Sequence, residues 1–266
     1  MLKEYILEGK VAIVTGAGRG IGKGIALALA EAGADIVAVS RTEREINEVA
    51  EEIHRMVRRC LSLPTDITQE EEVQRMVERA ISEFGKVDIL VNNAAAVTTV
   101  KPLVPLPHLG NSFPDVMGEE EWRSGFNVDL VGAFLCTRAV GPHMIKRQSG
   151  KIINITSSHA IAGFDYNAAY CASKAAKMRF TQTLAKEWAR YNINVNAIGP
   201  GLTHTSMTDQ YIFKKEKVRE KHLSKIPLRR AGTPRDIGLL AVYLASDASN
   251  WMTGQNLYID GGESIP

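Results

Sequence analysis

The chain has 266 residues, 45% hydrophobic and 23% charged, with a formal net charge of +2. That is ordinary soluble-globular usage, and near-neutrality gives no argument for nucleic acid or an acidic partner. No run approaches the roughly 18 apolar residues of a membrane span, and Met1 to Lys10, carrying Lys3, Glu4 and Glu8, lacks an apolar signal core.

Cys60, Cys136 and Cys171 are odd in number and widely spaced, with no metal pattern among them. They read as reduced, partly buried thiols of a cytoplasmic protein. In chain order, Val11 to Val14 is an apolar, β-branched run that reads as a buried strand. Thr15-Gly16-Ala17-Gly18-Arg19-Gly20-Ile21-Gly22 follows at once, then a helical run from Ile25 to Ala32. Strand, glycine loop and helix make the context of a phosphate-binding turn. Glycine lets the backbone approach a pyrophosphate, and the helix N-terminus offers unpaired N–H groups. Glycine also collects in tight turns that bind nothing.

Ile36 to Ser40 is the second strand, completing a βαβ unit, and it ends Ser40-Arg41 with no acid at its tip. A carboxylate there grips the ribose 2′-hydroxyl of NAD, whereas an Arg accommodates the 2′-phosphate of NADP. Arg19 and Arg41 therefore favour NADP, with NAD the alternative; two solvated arginines near a helix start is the plainer reading. Thr42 to Glu45 and Thr68 to Glu71 read as capping boxes, opening helices to about Val57 and Phe84. Leu61 to Leu63 and Val87 to Val91 are strands. Alternating strands and helices predict an α/β fold, a Rossmann-type doubly wound parallel sheet covered on both faces. Right-handed crossovers put the glycine loop, Asp66 and Asn93 at one rim, where such sheets bind ligands.

Residues 97–117, with four prolines and Gly110, form an irregular insertion: a pocket wall, a lid, or a surface excursion. A long helix over Glu119 to Arg147 and a strand over Lys151 to Ser157 come next. Ser157 ends that strand, and Tyr170-Cys171-Ala172-Ser173-Lys174 opens the helix Ala168 to Ala189. A Tyr and a Lys four apart share a helix face. A free phenol ionises near 10, and an adjacent ammonium favours the phenolate, making the Tyr usable in proton transfer. An amphipathic helix with a surface Tyr and a turn serine at Ser157 would account for the same residues. Ile193 to Ile198 ends at Gly199-Pro200-Gly201, and residues 202–230 read as a polar, mobile helical flap with a solvated face. A helix over Asp236 to Ala245 and a strand over Asn256 to Ile259 close a chain with no repeat or linker, hence one domain over 1–266.

Taken together, Thr15-Gly16-x-x-x-Gly20-x-Gly22, Asp66, Asn92-Asn93-Ala94, Ser157, Tyr170-x-x-x-Lys174 and Pro200-Gly201 resemble the short-chain dehydrogenase/reductase family from about Gly9 to Gly262. The nearest flavour is the branch of 3-oxoacyl-carrier-protein reductases and gluconate 5-dehydrogenase-like or polyol enzymes. The resemblance implies an oxidoreductase interconverting a small-molecule ketone and alcohol. Tyr170 would exchange the proton, Lys174 hold the nicotinamide ribose and Ser157 steady the alkoxide. Asp66 and Ile67 would lie near adenine, and Asn93 and Ala94 would line its ribose. Thr203 and Thr205 would hold the carboxamide after Pro200 and Gly201. It further implies a homotetramer. Two residues depart from the family pattern: Ala95 replaces a glycine, and Asp129 replaces the helix Asn whose carbonyl holds a relay water. A buried Asp at that place needs donors or a proton. A catalytically weak relative and an enoyl reductase are the competing readings; the four-residue Tyr–Lys interval speaks against the latter.

Overall fold

A computed structural model describes residues 2–96, 100–107 and 115–265. Seven parallel strands form one sheet in the order β3-β2-β1-β4-β5-β6-β7. They are β1 (Val11–Thr15), β2 (Asp35–Ser40), β3 (Cys60–Pro64), β4 (Ile89–Asn92), β5 (Gly150–Ile155), β6 (Ile193–Pro200) and β7 (Asn256–Ile259). β1 and β4 are buried along their whole length, which is why they read as continuous apolar runs rather than alternating ones.

One face is covered by α1 (Gly20–Glu31), α2 (Glu43–Arg55) and α10 (Pro234–Ala245), which pack Ile25, Leu29, Ile46, Val49 and Ile237 onto the sheet. On the other lie α3 (Glu70–Phe84), α5 (Gly132–Arg147) and α7 (Ala168–Trp188), burying Val73, Met76, Val140, Met144 and Leu184. Strand order reverses between β1 and β4, and the loops after these two strands lie side by side. That switch point is where an open α/β sheet leaves a crevice for a ligand.

The long helix expected over Glu119 to Arg147 is three pieces. These are α4 (Glu119–Phe126), a π-helical turn over Asn127–Val131, and α5. Such a turn widens the helix by one residue and recurs at functional sites; Asp129 sits in it. Both predicted capping boxes fail. Thr42 stands at the N-cap position of α2 but its side chain makes no cap, and its N–H, which the box would give to Glu45, goes to the Ser40 hydroxyl at 3.2 Å. The third helix starts at Glu70 behind Gln69, because Thr68 donates both its N–H and its hydroxyl to Asp66 Oδ1 (3.0 and 2.8 Å).

Of the Pro-rich stretch, Val97 to Thr99 and residues 108–114, with Gly110 and Pro114, lie outside the described residues. Its described parts tie to the rim: the Lys101 amide donates to Tyr166 O at 2.7 Å, and its ammonium meets Glu121 at 2.9 Å. The expected flap holds α8 (Ser206–Thr208), a π-helical turn (Asp209–Phe213) and α9 (Glu216–Leu223). None of those three elements buries a residue.

Candidate active site

The glycine loop leaves β1 through Gly16, at φ +65°, and Gly20, at φ +56°. A Cβ on Gly22 would lie 2.1 Å from Gly16 O and 2.4 Å from Asn93 Nδ2, so the first turn of α1 presses directly against the loop. Asn93 holds that contact, its side-chain amide donating to Thr15 O at 2.9 Å and Gly16 O at 3.2 Å. Thr15 Oγ1 in turn accepts from the amides of Asn93 and Ala94 at 3.0 and 3.1 Å. The loop after β1 and the loop after β4 are thus one hydrogen-bonded unit. No side chain caps α1, whose N-terminal N–H groups face the loop. A close-packed glycine turn ahead of an uncapped helix suits a pyrophosphate. On Gly20 a Cβ would come within 3.5 Å of Thr205, which brings the segment after β6 over the loop.

At the β2 end, Arg41 is exposed. Arg19 reaches Glu45 Oε1 at 3.4 Å, and a Cβ on Gly18 would meet Glu45 Oε2 at 2.9 Å and Ser40 Oγ at 3.4 Å. An acid therefore does stand beside Ser40, delivered by the first turn of α2 rather than by the strand. Asp66 is engaged by Thr68, and its own amide donates to Glu72 at 2.7 Å. Ile67 is buried in the core. Pro200 O accepts from the Ser158 amide at 3.0 Å, and the Gly201 amide donates to Ile259 O at 3.1 Å. Thr203 Oγ1 donates to Gly201 O at 3.1 Å, and Thr205 caps α8 through the Thr208 amide.

The chemistry gathers where α7 meets β5 and the π-helical turn. Lys174 is 2% exposed and Asp129 is fully buried; Lys174 Nζ lies 3.4 Å from Asp129 Oδ1 and donates to Ile155 O at 3.4 Å. Asp129 Oδ2 accepts from Ser173 Oγ at 2.8 Å. The buried carboxylate thus has the donors it requires. Lys174 Nζ also sits 5.4 Å from the centre of the Tyr170 ring. Ser157 Oγ accepts from the His159 amide at 3.2 Å, the ordinary turn contact of such a serine. The His159 ring is stacked on Phe164 at 4.5 Å and edge-on to Tyr170 at 6.3 Å. Burial lowers the His159 pKa, favouring a neutral imidazole.

Below this lies a buried polar chain that sequence reasoning did not foresee. Asn92 Nδ2 donates to Asn154 Oδ1 at 2.9 Å, Asn154 Nδ2 to Thr181 Oγ1 at 2.9 Å, and Thr181 Oγ1 to Lys177 O at 2.9 Å. The signal was present as polar residues at 173, 174, 177 and 181 on one helical face. The three thiols stay clear of the chemistry: burial pushes Cys60 and Cys136 up to about 12, and raises Cys171. Among the described residues no cluster could hold a metal ion, and no helix is long and apolar enough to cross a membrane.

A family model described as enoyl-(acyl carrier protein) reductase matches residues 16–264. The chain is 38% identical over 256 residues to the 3-oxoacyl-[acyl-carrier-protein] reductase FabG of Thermotoga maritima, covering 96% of this chain and 98% of that one. It is 39% identical over 263 residues to the 2-dehydro-3-deoxy-D-gluconate 5-dehydrogenase of Dickeya dadantii, covering 98% of each. The crystal structure of a 7α-hydroxysteroid dehydrogenase, complexed with NADH and 7-oxo-glycochenodeoxycholic acid, has a TM-score of 0.89 at 35% identity. There 97% of this chain and 96% of that one are covered.

Proposed function

The chain belongs to the short-chain dehydrogenase/reductase family, and we propose that it interconverts a ketone and a secondary alcohol, with NADP as cofactor and Tyr170 as acid and base. The observation that carries this reading is the pairing of Tyr170 with the buried Lys174 ammonium at the rim that also holds the glycine loop.

The bound nicotinamide would supply or accept the hydride, which is cofactor chemistry. The protein's part is to hold dinucleotide and substrate and to move one proton. Gly16, Arg19, Gly20, Ile21 and Gly22 would cradle the pyrophosphate against the N-terminus of α1. Asp66, Ile67, Asn93 and Ala94 would flank the adenosine end, while Pro200, Gly201, Thr203 and Thr205 would hold the carboxamide. Lys174, its ammonium beside the Tyr170 ring, would favour the phenolate electrostatically and would hydrogen-bond the nicotinamide ribose. In reduction the Tyr170 hydroxyl gives its proton to the carbonyl oxygen as negative charge grows there; in oxidation it takes the proton back. Ser157 donates to the same oxygen. Asp129 fixes Lys174 from behind. The four-residue Tyr–Lys interval favours a carbonyl over an enoyl substrate.

Arg41 and Arg19 support NADP through their match to a 2′-phosphate. A second reading, NAD, is favoured by Glu45, whose carboxylate beside Ser40 can accept from a ribose hydroxyl and repels a phosphate. We read the substrate as a 3-oxoacyl thioester or a sugar or polyol, the classes named by the relatives, in a cytoplasmic enzyme of one domain. A homotetramer is supported by apolar side chains left at the surface, Val131 and Phe134 near the start of α5 and a fully exposed Trp251. The test is a panel of keto-sugars, 3-oxoacyl thioesters and simple ketones, followed by loss of NADPH or NADH absorbance. Turnover of at least one class, faster with NADPH, is expected; oxidation of neither cofactor by any class overturns the reading.

A further inference from the structure

Residues 202–230 leave the rim after β6, yet of them only Thr203 and Ile226, close to the two ends, are buried. The stretch between has no core of its own, so its position is set by what holds those ends. Both ends stand on the turn over residues 260–264, which follows β7. At the near end the Leu202 amide donates to Glu263 Oε2 at 3.3 Å, and a Cβ on Gly201 would lie 2.5 Å from Asp260 Cβ. At the far end the Leu228 amide donates to Gly261 O at 3.2 Å. A Cβ on Gly261, at φ +67°, would come 2.7 Å from Ile226 Cγ2, and one on Gly262, at φ +90°, 2.9 Å from Pro227 Cγ.

The turn is stiffened from within, the Asp260 carboxylate accepting from the amides of Gly262 at 2.9 Å and Ser264 at 3.0 Å. From Leu202 the chain passes straight to the glycine loop. The Gly232 amide donates to Leu202 O at 2.9 Å and the His204 amide to Gly232 O at 2.8 Å. Thr203 is buried there, and Thr205 lies 3.5 Å from where a Cβ on Gly20 would stand. We propose that Glu263 is a positioning residue: by fixing the Leu202 amide to the turn over 260–264 it sets Thr203 and Thr205 over the glycine loop, while Gly261 holds the far end of the flap on the same turn. The inference rests on the reading that these threonines hold a dinucleotide. A side chain without an acceptor at 263 leaves the Leu202 amide unpaired and frees the hinge beside it.

The test needs no substrate. Trypsin cuts at exposed lysines when the backbone around them opens, and Lys214, Lys215, Lys217, Lys221 and Lys225 are all exposed. The full chain is digested under native conditions with the fragments read by mass, and binding of NADPH and NADH is followed by fluorescence. Glu263→Ala raises the rate of cleavage within 202–230 about tenfold and weakens the tighter-binding dinucleotide about three- to tenfold. Glu263→Gln, whose amide oxygen still accepts from Leu202, restores both to within about twofold of wild type. Gly261→Ala, which displaces Ile226, repeats the alanine result from the far end, and should one variant fail to fold the other still decides. Wild-type cleavage and affinity in the alanine variants overturn the proposal, as does an opened flap with unchanged affinity, or a loss in Gln equal to that in Ala. Failure of the functional reading would show separately, as a wild type that binds neither dinucleotide.

Discussion

Arg41 and Glu45 make opposite statements about the dinucleotide, and residues of this kind decide which one binds. Arg41 stands exposed at the end of β2, while Glu45 reaches back from α2 to Arg19 and the edge of Gly18. The exposed Arg19–Glu45 pair contributes little energy by itself, so a 2′-phosphate can compete for the guanidinium. Arg41→Asp should lower kcat/KM with NADPH about tenfold or more relative to NADH, as expected for loss of a charge-assisted contact to phosphate. Steady-state kinetics with both cofactors measures this, and an unchanged ratio would remove Arg41 from the pocket. Arg41 was legible because strand-end position is local. Glu45 was not, since only the packing of α2 brings it to the glycine loop.

At the scale of elements, the glycine loop and the loop after β4 behave as one piece, with α1 pressed onto them. Gly22→Ala puts a methyl group 2.1 Å from Gly16 O, against backbone that cannot swing aside. The loop must shift, costing about 2 kcal/mol or more of stability and dinucleotide binding with it. Thermal unfolding and fluorescence titration with NADPH follow both, and wild-type values for both would show that the loop tolerates the methyl. The strand–loop–helix rhythm that predicted this unit is carried by contiguous residues and survives in the structure, although α1 starts at Gly20 rather than at Ile25. What escaped were features set by competition between neighbours. Ser40 and Asp66 took the hydrogen bonds that the two capping boxes required. The π-helical turn carrying Asp129 has no local signature, because a run of helical period reads the same whether one extra residue is accommodated or not.

For the molecule as a whole, buried charge links the site to stability. An unfolded lysine keeps its proton to about 10.4, whereas Lys177 in the fold gives it up near 7. Between these values the unfolded chain binds more protons, so stability rises with pH across that window. The cost of Lys177 is full below the lower value and relieved above the upper one. Lys177→Met should therefore be more stable than wild type at about pH 6, with the gap narrowing by about pH 9. Urea unfolding at the two pH values measures the difference; a gap that does not change with pH would place the Lys177 ionisation elsewhere. Light scattering should give the mass of four 29.1 kDa chains, and a monomer would leave Trp251 and Phe134 without the interface inferred for them.

Everything functional turns on whether one phenol passes the proton. The decisive measurement is turnover of Tyr170→Phe on whichever carbonyl the wild type reduces, with NADPH binding followed in parallel. The account predicts a fall in kcat of at least roughly 10²–10⁴-fold with binding retained. Wild-type kcat in that variant would contradict it.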